Sequence, residues 1–177
     1  MARVNYMGVF FDAEVMQELI ERQGEKLPKL VKNMHCTFRY APSNGEIKNF
    51  MEIVGQEFEI KVVGYCSDGK NSGYEIEIGP ELNKYYNNTH TLDKDGIPTV
   101  EPTSMHITVS MSEDGKAVDT GMLPFERLPE DKQFAVKGKA GVFMLDKEKG
   151  NHVSFDIKEI EPTVTENSIG ENEHNIS

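Results

Sequence analysis

Two short segments of this 177-residue chain carry side chains that can move protons, at one shared spacing: Met34-His35-Cys36-Thr37-Phe38-Arg39-Tyr40 and Met105-His106-Ile107-Thr108-Val109-Ser110-Met111. In an extended strand successive side chains point to opposite faces. His35, Thr37 and Arg39 then share one face and Met34, Cys36, Phe38 and Tyr40 the other, while His106, Thr108 and Ser110 line up opposite Met105, Ile107, Val109 and Met111. Each strand has an apolar face for a core and a polar face for a cavity. Brought together, the polar faces place two imidazoles and two hydroxyls around one space. With an ordinary pKa of about 6.5, one imidazole accepts a proton near neutrality while another donates one. Hydroxyls donate hydrogen bonds to oxygens on which negative charge gathers. A third pair, His152-x-Ser154, also lies in an alternating run and reads first as a structural strand element.

The elements that must position these residues are mixed. Asn5 to Phe11 reads as an apolar strand buried on both faces, and Asp12 offers an N-cap for a helix with Val15, Met16, Leu19 and Ile20 inward, ended by Gly24. A linker rich in Lys and Pro leads to the first His strand. Pro42-Ser43-Asn44-Gly45 reads as a turn and Glu46 to Val54 as a helical pattern. Phe58, Ile60 and Val62 alternate with charged residues, as do Tyr74, Ile76 and Ile78, and the turn at Ser67-Asp68-Gly69 joins them into a hairpin. Pro80 to Ser104 sustains no period and leads into the second His strand, so it reads either as a lid that contacts substrate or as an ordinary surface insertion. Gly115 to Met122 reads as a turn with one helical turn, and Phe134 to Leu145 and Val153 to Ile157 as further strands. The expected organisation is one domain over residues 1–161 and a disordered acidic tail over 162–177, where Glu, Asn and Ser dominate.

Composition narrows the partners. Nineteen Lys and Arg against thirty Asp and Glu give a formal net charge of −11, which repels long double-stranded nucleic acid and restricts a nucleotide ligand to a short one. No apolar run reaches the ~20 residues needed to span a bilayer, and the N-terminal residues lack a signal-peptide pattern, so a cytoplasmic, membrane-free, monomeric protein is expected. Cys36 and Cys66 have no paired spacing and read as buried free thiols.

The paired His-x-Thr strands, 71 positions apart in a small α+β chain, resemble those of the 2H phosphoesterase superfamily, which includes RNA 2′,3′-cyclic phosphodiesterases and RNA-ligase-like proteins. The likeness extends to the opening strand and helix, Gly8-Val9-Phe10-Phe11 followed by Glu14 to Arg22, and to Val62-Val63-Gly64-Tyr65, covering roughly residues 4–158. The resemblance implies an α+β bilobal fold, with two pseudo-equivalent antiparallel sheets, flanking helices and a central cleft. It implies His35 and His106 as the acid/base pair, Thr37 and Thr108 as phosphate-binding residues, and Arg39 as a candidate for the same role. No metal or other cofactor is implied. Cys36 departs from the aliphatic residue usual between His and Thr, on the core-facing side of its strand.

The implied activity is a metal-independent phosphodiesterase acting on a small nucleotide or short oligonucleotide, such as a 2′,3′-cyclic phosphate or a cyclic or linear oligonucleotide signal. Tyr65, Tyr85 and Tyr86 are either base-stacking platforms or packing residues. The same residues admit competing readings. A noncatalytic nucleotide-binding module, acting as sensor or sponge, fits the same cleft. A zinc site would need a third ligand such as His90. An interaction domain using its acidic tail draws only on residues 162–177.

Overall fold

The computed structural model describes residues 2–23, 26–87, 91–92, 98–99 and 104–164. The opening apolar run forms β1 (Ala2–Phe10), whose residues 7–10 are buried on both faces. Asp12 caps α1 (Ala13–Glu21), its carboxylate accepting from the Val15 amide at 2.9 Å, a contact worth about 1 kcal/mol. Strands β2 (Lys29–Leu30) and β3 (His35–Tyr40) follow. Ser43 then caps α2 (Asn44–Phe50) in a reciprocal capping box with Glu46, so the helix begins inside the expected turn. Strands β4 (Glu57–Ser67) and β5 (Asn71–Glu77) make the expected hairpin, with the Asp68 carboxylate accepting from the amides of Lys70 and Asn71.

The segment expected as a loop starts with a helical turn, α3 (Pro80–Asn83), which buries Leu82. Strands β6 (Thr91–Leu92) and β7 (Pro98–Thr99) pair with each other. The rest of that segment, His90 included, lies outside the described residues. After β8 (His106–Met111) come a 3-10 turn (Ala117–Met122), β9 (Glu126–Arg127), a second 3-10 turn (Glu130–Lys132), β10 (Phe134–Asp146) and β11 (His152–Ser154). The final strand is shorter than predicted. The Ser154 hydroxyl accepts from the Asp156 amide, and a helix, α4, runs over residues 157–164. Ile160, Thr163 and Val164 are buried, so packed structure continues past the expected boundary at 161, while residues 165–177 of the expected tail lie outside the described residues.

Among the described residues, nine strands pair as one antiparallel sheet with the main order β2-β8-β5-β4-β10-β1-β3, and β11 and β9 attach to β10 and β4. The architecture is thus α+β, a large antiparallel sheet with few helices, paired as one sheet instead of two separate ones. The two His strands lie toward opposite ends of this path, yet β3 and β8 are in contact because the sheet curls back on itself. The core is filled by the apolar faces of both His strands, with Cys36, Phe38, Ile107 and Val109 fully buried in one cluster with Leu19 of α1 and Ile47 and Phe50 of α2. Phe38 meets Phe50 edge to face, and the Tyr74 hydroxyl donates to the Leu19 carbonyl at 2.8 Å. No helix among the described residues is long and apolar enough to cross a membrane.

Candidate active site

The alternation read from sequence holds only in part: Cys36 and Phe38, Ile107 and Val109 are buried and His35, Thr37 and His106 are half-buried, but Thr108 and Ser110 are buried as well, and register shifts just past the two threonines set Arg39 opposite Met7 and Ser110 opposite Ser72. The imidazoles are fixed in the same way. His35 Nδ1 lies 2.7 Å from the Asn33 carbonyl, and His106 Nδ1 lies 2.7 Å from the Ser104 carbonyl. A carbonyl can only accept, so Nδ1 carries the proton in each ring and Nε2 is left to exchange one. Among the described residues neither Nε2 has a hydrogen-bond partner.

The hairpins that present the two motifs match in finer detail. Thr37 pairs across the sheet with Gly8 of β1, and Thr108 pairs with Gly73 of β5. A register shift falls just before each glycine, between Met7 and Gly8 and between Ser72 and Gly73. A Cβ at Gly8 would strike the carbonyl oxygen of Cys36, and one at Gly73 would come within 2.5 Å of the carbonyl oxygen of Ile107. In both cases the obstructed carbonyl belongs to the residue between His and Thr. The two halves therefore repeat one local construction.

The strands meet closely enough for their groups to interact. Burial pushes the Cys36 thiol up to about 12, against a smaller downward pull from the His106 backbone. Burial likewise lowers His35 to about 4; the Asn33 carbonyl works against this, and proximity to His106 adds to it. Burial also lowers His106, opposed by the Ser104 carbonyl. The surroundings of the two rings differ. His35 stacks on Tyr6 with centroids 4.7 Å apart and contacts Phe10 at 5.4 Å, and Phe143 stacks on the far side of Tyr6 at 5.2 Å. Opposite His106, the residue in register is Glu75.

The structure brings His35, Thr37, His106 and Thr108 onto two touching strands; Arg39 shares β3 with the first pair, and the tyrosines pack in other places. Thr108 is buried, and its hydroxyl reaches the Ala117 carbonyl at 3.4 Å. Arg39 is engaged by the Glu46 carboxylate at 3.2 Å and donates to the Asn87 carbonyl. Tyr65 pairs with the buried Tyr74, ring centroids 5.5 Å apart, on the face away from the imidazoles. Tyr85 and Tyr86 pack edge to face on Phe50 and Phe38. His152 uses the same local device, with Nδ1 on the Gly150 carbonyl, but its Nε2 is held by Glu159, which also accepts from Ser154. Among the described residues no three His, Cys, Asp or Glu side chains converge as metal ligands. Tyr6 and Gly73 were not singled out from sequence, and Gly8 and Phe10 were noted only as part of the opening strand, because their relation to the motifs exists only across paired strands.

No family model matches the chain, and no curated protein matches it. A solved structure described as the crystal structure of a fungal RNA kinase is similar over 86% of this chain and 44% of that one, with 15% identity and a TM-score of 0.42. The chain thus spans less than half the length of that protein.

Proposed function

We propose that this protein is a metal-independent phosphodiesterase of the 2H type, acting on a small nucleotide or short oligonucleotide with His35 and His106 as its acid/base pair. The observation that carries the reading is the repeated construction of the two His-x-Thr strands: the same Nδ1 anchor, the same opposing glycine, and contact between strands remote in the sheet order. Two independent structural histidines have no reason to share all three features. The repeat also supports regarding the single curled sheet as two pseudo-equivalent halves around a cleft.

In hydrolysis, the neutral imidazole takes a proton from water at Nε2 as the water oxygen forms a bond to phosphorus. The protonated imidazole gives its Nε2 proton to the leaving ribose oxygen as that P–O bond breaks, and a 2′,3′-cyclic phosphate opens to a monoester. Thr37, and Thr108 once its hydroxyl turns from the Ala117 carbonyl, donate hydroxyl hydrogens to the non-bridging oxygens, where charge accumulates in the transition state. The net charge of −11 supports a short substrate over a polyanion.

The test is incubation of the purified protein with 2′,3′-cyclic nucleotides, short oligoadenylates and cyclic dinucleotides in EDTA, with products read by mass spectrometry. Turnover in EDTA is the expected result. Binding without turnover assigns the cleft to a sensor or sponge, and activity lost in EDTA and restored by zinc overturns the metal-independent mechanism.

A further inference from the structure

The face that carries His35 does not end at the imidazole. His35 pairs with Phe10, Phe10 with Lys139 and Lys139 with Glu57, a row in register across β3, β1, β10 and β4. Direct partners in antiparallel strands project to the same side. The adjacent row is nearly bare, because Thr37 pairs with Gly8 and Gly8 with Gly141. Phe155 occupies the space above that second glycine, where a Cβ would stand 2.6 Å from its ring. Its ring meets Phe10 edge to face at 6.0 Å, and the Lys139 ammonium lies 5.3 Å from its centroid. Even so, Phe155 remains 39% exposed. An aromatic ring seated on a glycine, beside a cation and partly open to solvent, has the features of a stacking platform.

Next to this ring is a cavity. Strand β1 stops opposite Lys139 while β10 extends back to Phe134, and the space beyond the end of β1 is a cavity of about 460 Å³. Phe10, Asn33, Lys139 and Phe155 are among its walls; His35 itself is not, but it adjoins them, its ring 5.4 Å from that of Phe10 and its Nδ1 held by the Asn33 carbonyl. Its size falls in the range of small-ligand sites, roughly 300–1,000 Å³, and suits one nucleoside. Its charge is mixed: Lys137 and Lys139 face Glu59 and Glu57 across the strands, and Glu14 and Glu57 also line the wall. This balance disfavours a chain of phosphates. It suits a ribose, whose hydroxyls donate to carboxylates.

We propose that the cavity is a nucleoside subsite, in which the base on the His35 side of the scissile phosphate stacks on Phe155 and the ribose hydroxyls bond to the carboxylates of the wall. The phosphodiesterase reading supplies the phosphate to which this arm is attached, and the proposal adds where its base goes.

Two probes with the same cyclic diester test it: adenosine 2′,3′-cyclic phosphate and the base-free methyl riboside 2′,3′-cyclic phosphate. The wild type is expected to favour the adenosine probe about tenfold or more in kcat/KM, and Phe155→Leu, which keeps the apolar volume without the aromatic face, is expected to reduce that preference about tenfold. In parallel, the dissociation constant of adenosine 2′-monophosphate, measured by ligand-observed NMR, should rise about tenfold in Phe155→Leu and in Phe155→Ala, with circular dichroism confirming the fold. Equal preference in wild type and variant, with turnover present, overturns the subsite and leaves the catalytic reading standing. Absence of turnover, with adenosine monophosphate binding that weakens in both variants, overturns the catalytic reading and leaves the subsite standing. Unchanged binding in both variants rejects the subsite in either case.

Discussion

Gly8 and Gly73 occupy equivalent places in two different hairpins: each follows a register shift, each faces a motif threonine, and each lies against the carbonyl that separates that threonine from its histidine. A side chain in either place would push on backbone, which cannot rotate away as a flexible side chain would.

Gly8→Ala and Gly73→Ala are therefore expected to destabilise the protein by about 1–3 kcal/mol each, the usual cost of overpacking, and to reduce activity beyond the loss of folded protein. Thermal unfolding read beside kcat checks both. An alanine at either place that left stability and rate unchanged would contradict the close packing.

Removal of either motif imidazole should lower kcat by about two to four powers of ten, the scale of a positioned acid or base. Thr37→Ala and Thr108→Ala should lose less, since each removes one phosphate contact. The variant lacking both imidazoles should be scarcely slower than either single variant, because the pair acts as one unit. Single-turnover rates, with folding checked by circular dichroism, decide this, and a wild-type rate in His35→Ala or His106→Ala rejects the mechanism.

The depressed pKa values set a direction for the pH profile. Burial brings His35 to about 4 and moves His106 down from its ordinary value. With one ring as base and the other as acid, kcat/KM should be bell-shaped, with its limbs displaced below the usual histidine pKa. Histidine NMR titrations should show both rings shifted down. Folding is linked to the same groups: their native pKa values lie below the unfolded value, so the stability they contribute is complete above about pH 6.5 and falls as pH drops toward 4.

His152 should behave in the opposite sense. The Gly150 carbonyl and Glu159 raise its pKa, and the Glu159 carboxyl is lowered mainly by its bond to His152. This stabilisation is present below the unfolded pKa and is lost as pH rises through the folded one. His152→Ala should reduce the melting temperature at pH 6, have less effect at pH 9, and leave turnover near wild type. A loss of turnover comparable to that of His35→Ala would instead place this third pair in the chemistry.

Features carried by local chemistry were legible in the sequence. The alternation from His35 to Phe38, the Asp12 cap and the β4-β5 hairpin depend on residues a few positions apart, and the structure has them. Tyr65 shows why others were not. Strict alternation along β4 puts it on the face opposite Val62, but a register shift between Val62 and Gly64 turns it to the same face, where it meets Tyr74. Arg39 aligned with His35 and Thr37, yet its charge is taken up by Glu46, whose place in the helix cap became evident only once Ser43 was seen to begin α2. The ring of Tyr6 on His35 required the pairing of β1 with β3, which no local pattern announces.

The sheet order ties the spacing of the imidazoles to strands that carry neither of them. From β3 the path to β8 passes through β1, β10, β4 and β5, so the separation of the two rings depends on the bend of those strands as well as on the direct packing of β3 against β8. A small change of twist at β10 or β4 is added along the path and opens or narrows the gap with every motif residue intact. The aperture, and with it the girth of the ester that fits, is tuned by strands that bear no part of the acid/base pair.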